Sequence, residues 1–90
     1  MKVSFKDNVQ RDFPYKKGDY VTVVVRWLYE NEKGADLYYH GTITDIDNNG
    51  FWCVLDDNKT QEEYFSFSEI ENVIDGDRIP GSSKRRDIDN

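Results

Sequence analysis

The ten residues YVTVVVRWLY, positions 20 to 29, constrain this chain most. Eight of the ten are β-branched or aromatic, side chains that lose rotamer freedom in a helix and pack well on a pleated surface. The odd positions Val21, Val23, Val25, Trp27 and Tyr29 make one apolar face, and the even positions Thr22, Val24, Arg26 and Leu28 are mixed. That pattern predicts a strand with one face turned inward and the other partly covered. Such a strand needs neighbours, so the chain must supply a sheet.

The rest of the sequence supplies one in short pieces. Residues 37–47, LYYHGTITDID, predict a second strand, with a bend or bulge at Gly41 and a further irregularity where Ile43 and Ile46 stand three apart. FWCVL at 51–55 predicts a third; being apolar at every position, it does not reveal which face is inside. EYFSFS at 63–68 predicts a fourth, with Phe65 and Phe67 on one face. Ser68-Glu69-Ile70-Glu71 reads as one helical turn and Asn72-Val73-Ile74 as a closing strand. No long helical period and no internal repeat interrupts this series, and the expected fold is all-β, about five strands joined by hairpins.

Three segments follow from the changes in composition. Residues 1–15 form an N-terminal arm, either irregular and packed by its Phe residues or beginning with a short strand at SFKD, with Pro14 blocking regular pairing. Residues 16–79 carry the strands, entered through the turn signal Lys16-Lys17-Gly18-Asp19. Residues 80–90, PGSSKRRDIDN, hold too little apolar surface to fold alone and are expected to be a flexible tail.

Charge and cysteine usage narrow the setting. The formal charge is −6; the tail contributes +1 of it, so the preceding body carries −7. An acidic body repels phosphate backbones, which weighs against nucleic acid as a partner and favours a basic one. One cysteine, Cys53, rules out an internal disulfide and fits a reducing cytoplasm. No apolar run approaches the roughly 20 residues needed to cross a bilayer, and MKVSFKDNVQRDF lacks the apolar block of a signal peptide. A cytoplasmic protein without a membrane partner is expected.

DIDNNGFWCVLD, residues 45–56, matches a calcium loop in its first six positions, with Asp45, Asp47, Asn49 and Gly50 in place and Asp56 where a bidentate glutamate belongs. The flanks HGTIT and WCVL are β-prone rather than helical, and Asn48-Asn49-Gly50 is explained as a tight hairpin turn through the tolerance of Asn and Gly for positive φ. The turn is the preferred reading and no metal is expected. His40 and Cys53 are the single histidine and thiol. Nothing in their spacing brings them together as a nucleophilic pair, and one of each leaves zinc short of ligands. No Gly-rich phosphate loop is present, and the acidic residues of the turns read as solvated faces. Neither a catalytic set nor a cofactor is expected, and the protein is read as not an enzyme. Two Trp, six Tyr and five Phe exceed what so small a core can hold, so some rings must line a surface.

The run Gly18-Asp19-x-Val21, then Gly41-Thr42-Ile43-Thr44-Asp45-Ile46-Asp47, Trp52-Cys53-Val54-Leu55-Asp56-Asp57 and Phe67-Ser68-Glu69-Ile70-Glu71-Asn72-Val73 resembles the SH3-like small β-barrels of the Tudor and KOW type, over about residues 16–75. The resemblance implies a five-stranded barrel with a short helical turn before its last strand, a fold that hosts peptide, methylated-residue and nucleic-acid binders. For a Tudor-type aromatic cage, Trp27 and Tyr39 match the first two ring positions, whereas Leu55 and Asn58 fall near the later ones. The stretch also resembles small bacterial and phage proteins of this barrel class, which implies a host-interaction factor. Three functions stay open. The first is a non-enzymatic protein-interaction module meeting a basic surface through Trp27, Tyr29, Glu30, Glu32, Tyr39 and Trp52, beside a long first hairpin loop at 30–37. The second is nucleic-acid binding through Lys16, Lys17, Arg26, Lys84, Arg85 and Arg86, and the third an acidic mimic of nucleic acid that blocks a DNA-binding protein.

Overall fold

The computed structural model describes residues 1–28 and 34–76, with backbone alone for Trp27, Leu28 and Ala35. The strands are β1 (Lys2–Ser4), β2 (Gln10–Asp12), β3 (Tyr20–Leu28), β4 (Gly34–Ile46), β5 (Gly50–Leu55), β6 (Asn58–Ser66) and β7 (Asn72–Asp75). A single 3-10 turn, Phe67–Glu69, stands between β6 and β7, one residue earlier than the sequence suggests. β1 and β2 pair as a two-stranded ribbon, and the other five form an antiparallel sheet in the order β6-β5-β4-β3-β7. The protein is therefore all-β, as expected. The expected closure into a barrel is corrected: the five-stranded sheet is open, with β6 and β7 as its two edges.

Alternation decides what each strand buries. Val21 and Val23 of β3, Ile43 of β4, Phe51, Cys53 and Leu55 of β5 and Val73 of β7 share one buried core. The other face of β3 is covered more fully than its composition suggests, for Thr22 is 0% exposed and Val24 is buried. Thr22 is short and stands between His40 of β4 and Ile74 of β7 in register, and its Oγ1 lies 2.8 Å from His40 Nδ1. The central position of β3 in the sheet gives this small polar residue larger neighbours on both sides.

The irregularity in β4 falls three residues later than Gly41. Pairing with β5 slips between Ile43 and Asp45, so that Ile43 faces Cys53 and Ile46 faces Phe51. Both isoleucines thereby reach the core side despite their odd spacing. Gly41 serves close packing: a Cβ there would stand 2.5 Å from the Val54 carbonyl oxygen and 2.7 Å from Cys53 Sγ.

The N-terminal arm belongs to the same core. Val3, Phe5 and Phe13 are buried in it, and the Phe13 ring lies 5.5 Å from Phe51 and 5.0 Å from Phe67. Lys6 N–H donates to the Ile70 carbonyl at 3.1 Å, which ties the arm to the segment leading into β7. The arm thus covers the Phe51–Phe67 end of the concave face. Residues 80–90, the expected tail, lie outside the described residues. Among the described residues no helix is long and apolar enough to cross a membrane.

Candidate functional site

The part of the concave face that the arm does not reach forms a groove of about 380 Å³. Its floor is made by Val25 of β3, Tyr39 of β4, Leu55 of β5, Phe65 of β6 and Ile70 beyond the 3-10 turn. Tyr39 and Phe65 stand two strands apart and are also offset along the strands, since Gly41 faces Leu55 whereas Phe65 faces Phe51, so a flat sheet would hold them well over about 10 Å apart, yet their ring centroids are 6.0 Å apart at 41°. The sheet is strongly curled, and the curl turns an alternating face into a concave surface. Because β6 and β7 do not pair, the groove opens between the β6 edge and the 3-10 turn. Tyr64 and Ser66 form its wall on the β6 side.

Glu63 and Glu69 stand at this groove. Gln61 Nε2 donates to Glu63 Oε2 at 3.1 Å, while Glu69 is exposed. Among the described residues neither carboxylate is paired with a cation, and no Lys or Arg lines the groove. Two carboxylates beside an aromatic and aliphatic floor suit a ligand that offers both positive charge and apolar surface.

Of the six residues expected to meet a partner, Tyr39 and Trp52 are described with their side chains, and these two lie on opposite faces of the sheet. Tyr39 lies on the concave floor. Trp52 is 39% exposed between buried Phe51 and Cys53, on the convex face of the sheet, where it packs on Tyr64 with centroids 4.9 Å apart. Trp27 is described as strand backbone paired with Ala35. Tyr29, Glu30 and Glu32 lie outside the described residues. The loop read as 30–37 is also corrected at its end, since residues 34–37 belong to β4 and pair with β3, and 30–33 lie outside the described residues.

DIDNNG is the hairpin turn between β4 and β5, but its chemistry differs from the expected one. Among the described residues positive φ occurs at Asn8 and Gly18, and at none of the turn residues. The turn is instead organised by Asp47, whose Oδ1 accepts the amides of Asn49 at 2.7 Å and Gly50 at 2.8 Å. Gly50 is required by packing, because a Cβ there would collide with the Phe65 carbonyl and the Tyr64 ring. The Asn49 amide, with the Tyr64 hydroxyl and the Gly50 amide, holds the Asp47 carboxyl below the usual carboxylate range. Partial desolvation and the nearby Asp47 raise the Tyr64 phenol in return. The positions of the calcium pattern do not converge. Asp45 faces Lys17 at 4.0 Å, Asn49 uses its carbonyl to accept the Phe67 amide, and Asp56 lies beyond the far end of β5, accepting the Tyr20 hydroxyl at 2.5 Å. Among the described residues no three His, Cys, Asp or Glu side chains stand together as metal ligands.

His40 and Cys53 stand on opposite faces of the sheet. Cys53 is 0% exposed among core residues, and burial, with Asp56 adding to it, pushes its thiol up to about 12. His40 meets Thr22 on the other side. Of the basic residues of the nucleic-acid reading, the three that are described are each paired with a carboxylate. Lys16 faces Asp19 at 3.5 Å and Lys17 faces Asp45 at the entry to β3, whereas Arg26, near its other end, binds Asp36 at 3.0 Å. Lys84, Arg85 and Arg86 lie outside the described residues.

The groove residues Val25, Leu55, Phe65, Glu69 and Ile70 carry no motif. Their only sequence signal is inward parity on three strands combined with a turn that presents Glu69, and this can be read only once the curl of the sheet is known. No protein-family model, curated protein or solved structure matches the chain significantly, so the geometry of the groove is what identifies the site.

Proposed function

We propose that the chain is a non-enzymatic protein-interaction module, an open variant of the SH3-like plan, whose groove binds a basic segment of a partner protein. The observation that carries this reading is the pairing of an apolar floor around Tyr39 and Phe65 with the carboxylates of Glu63 and Glu69. A net charge of −6 adds long-range attraction for a basic partner. The SH3-like plan is supported by the connectivity: four consecutive strands pair as a meander, a 3-10 turn follows, and β7 returns antiparallel to β3. The setting implied by the sequence resemblance, a bacterial or phage host-interaction factor, agrees with a small binding module and adds no residue to the site.

The test is fluorescence anisotropy with two labelled peptides, one of repeated Lys-Lys-Val-Val and one of repeated Glu-Glu-Val-Val, so that each face of an extended peptide carries both charge and apolar surface. The lysine peptide should bind the wild type and bind the Glu63→Gln, Glu69→Gln double variant several-fold more weakly, while the glutamate peptide should not bind. Equal binding of both peptides, or no effect of the double variant, overturns the reading. Single- and double-stranded DNA and RNA probes at low salt complete the comparison. Tighter binding of these than of the lysine peptide, falling steeply as salt rises, would favour the nucleic-acid reading instead.

A further inference from the structure

The open edge of β6 is more than a wall of the groove. In an antiparallel pair, residues that exchange backbone hydrogen bonds alternate with residues that do not, and the latter turn their N–H and C=O groups away from the partner strand. β6 pairs with β5 so that Gly50 faces Ser66, Phe51 faces Phe65, Trp52 faces Tyr64 and Cys53 faces Glu63. Just past this ladder the Phe67 amide donates to the Asn49 carbonyl at 2.9 Å, which marks that step as hydrogen-bonded. Phe65 and Glu63, two and four residues back, take the same phase. The Phe65 carbonyl oxygen lies where a Cβ on Gly50 would stand, which places that oxygen on the β5 side and agrees with it. Tyr64 and Ser66 therefore present their N–H and C=O groups outward, along the rim of the groove. β6 is an edge of the sheet, and among the described residues no further strand takes these groups.

Resting on the interaction-module reading, we propose that the partner segment is an extended, lysine- or arginine-bearing strand that adds to β6 by main-chain pairing with Tyr64 and Ser66. Its alternate side chains then have two destinations. Those turned to the concave side enter the groove, apolar ones over Tyr39, Phe65 and Ile70 and basic ones toward Glu63 and Glu69, and those between them lie on the convex side beside Tyr64. Charge selects this occupant over a second copy of the chain, because β6 pairing with β6 would bring the same carboxylates of both copies to one opening that no Lys or Arg lines among the described residues.

The geometry also provides a variant that tests the edge without disturbing the ladder. Ser66 has φ −84° and ψ 131°, close to the backbone that proline imposes, and its outward N–H is not used by β5. Ser66→Pro should therefore fold while losing one edge donor. A second probe is the lysine-valine peptide methylated at alternate backbone nitrogens, which keeps every charge and removes donors. With the full chain, anisotropy should show at least about tenfold weaker binding for Ser66→Pro and for one of the two methylation phases, the loss expected for one or two main-chain hydrogen bonds. Amide exchange followed by NMR should show Tyr64 and Ser66 exchanging fast in the free protein and at least about tenfold more slowly with the unmethylated peptide bound.

If the peptide binds with Glu63 and Glu69 required but neither methylation phase nor Ser66→Pro matters, strand addition is wrong while the interaction-module reading stands. If the peptide does not bind at all, both fail together. Slow exchange of Tyr64 and Ser66 in the free chain overturns the proposal as well. Concentration-dependent protection would then assign the edge to a second copy, and concentration-independent protection to residues of the chain itself.

Discussion

The Tyr64 hydroxyl donates to both oxygens of the Asp47 carboxylate, at 3.0 Å to Oδ1 and 3.2 Å to Oδ2, and so ties β6 to the turn between β4 and β5. Tyr64 also packs on Trp52, so one exposed residue links β6 to β5 and to the turn that precedes β5.

Because folding lowers the Asp47 carboxyl below its ordinary value of 3.8, the ionised form is the one the fold stabilises. This contribution is complete above about pH 4 and is lost as pH falls through the lowered value. Asp7 behaves in the same direction, held down by its hydrogen bond to Arg11 at 2.7 Å. Thermal melts between pH 7 and pH 2 should show the wild-type Tm falling below about pH 4. Asp47→Ala should start from a lower Tm at pH 7 and fall less steeply, with the slope that persists reporting Asp7 and other carboxyls.

Gly41 and Gly50 should resist replacement for steric reasons. A Cβ at Gly41 would stand 2.5 Å from the Val54 carbonyl, and one at Gly50 would meet the Phe65 carbonyl. Since backbone atoms on a paired strand cannot move aside cheaply, Gly41→Ala and Gly50→Ala should each cost about 1–3 kcal/mol in urea denaturation. Gly50→Ala should also disturb the Tyr64 ring, readable as a change in the near-ultraviolet circular dichroism.

Phe13 reaches three rings, those of Tyr15, Phe51 and Phe67. Phe13→Ala should destabilise the whole sheet by about 3–5 kcal/mol in chemical denaturation, as for a buried ring elsewhere in a core. Val9, half exposed on the same arm, is the control: Val9→Ala should change stability by no more than about 0.5 kcal/mol. Equal, small effects of the two would mean that the arm is not part of the cooperative unit.

Cys53 combines 0% exposure with a thiol pushed up to about 12. A buried, protonated thiol is a poor nucleophile. At pH 8 the native protein should react with a chromogenic disulfide reagent only as fast as it unfolds, and at once in denaturant. Rapid native-state reaction would place Cys53 at the surface.

The strands themselves were legible because each carries a local signal. YVTVVVRWLY announced β3, the odd spacing of Ile43 and Ile46 announced the bulge, and the Asn-Asn-Gly run announced a turn at its true position. The reason for that turn was less accessible. Its glycine answers to the Phe65 carbonyl and the Tyr64 ring, atoms 14 and 15 residues away in the chain. FWCVL is apolar at every position and leaves its facing undecided; pairing with β4 on one side and β6 on the other puts Phe51, Cys53 and Leu55 inside and Trp52 outside.

The amino-acid pattern was enough to establish an all-β chain of short strands, its acidic charge and a core rich in rings, since periodicity, propensity and charge are properties of neighbouring residues. Folding in three dimensions settled that the sheet stays open, that the arm covers one end of its concave face, and that Tyr39, Phe65, Glu63 and Glu69 meet at the other. These outcomes depend on the curl of the sheet and on which edges find partners. Both arise from packing between residues far apart in the chain, where no local signal reaches.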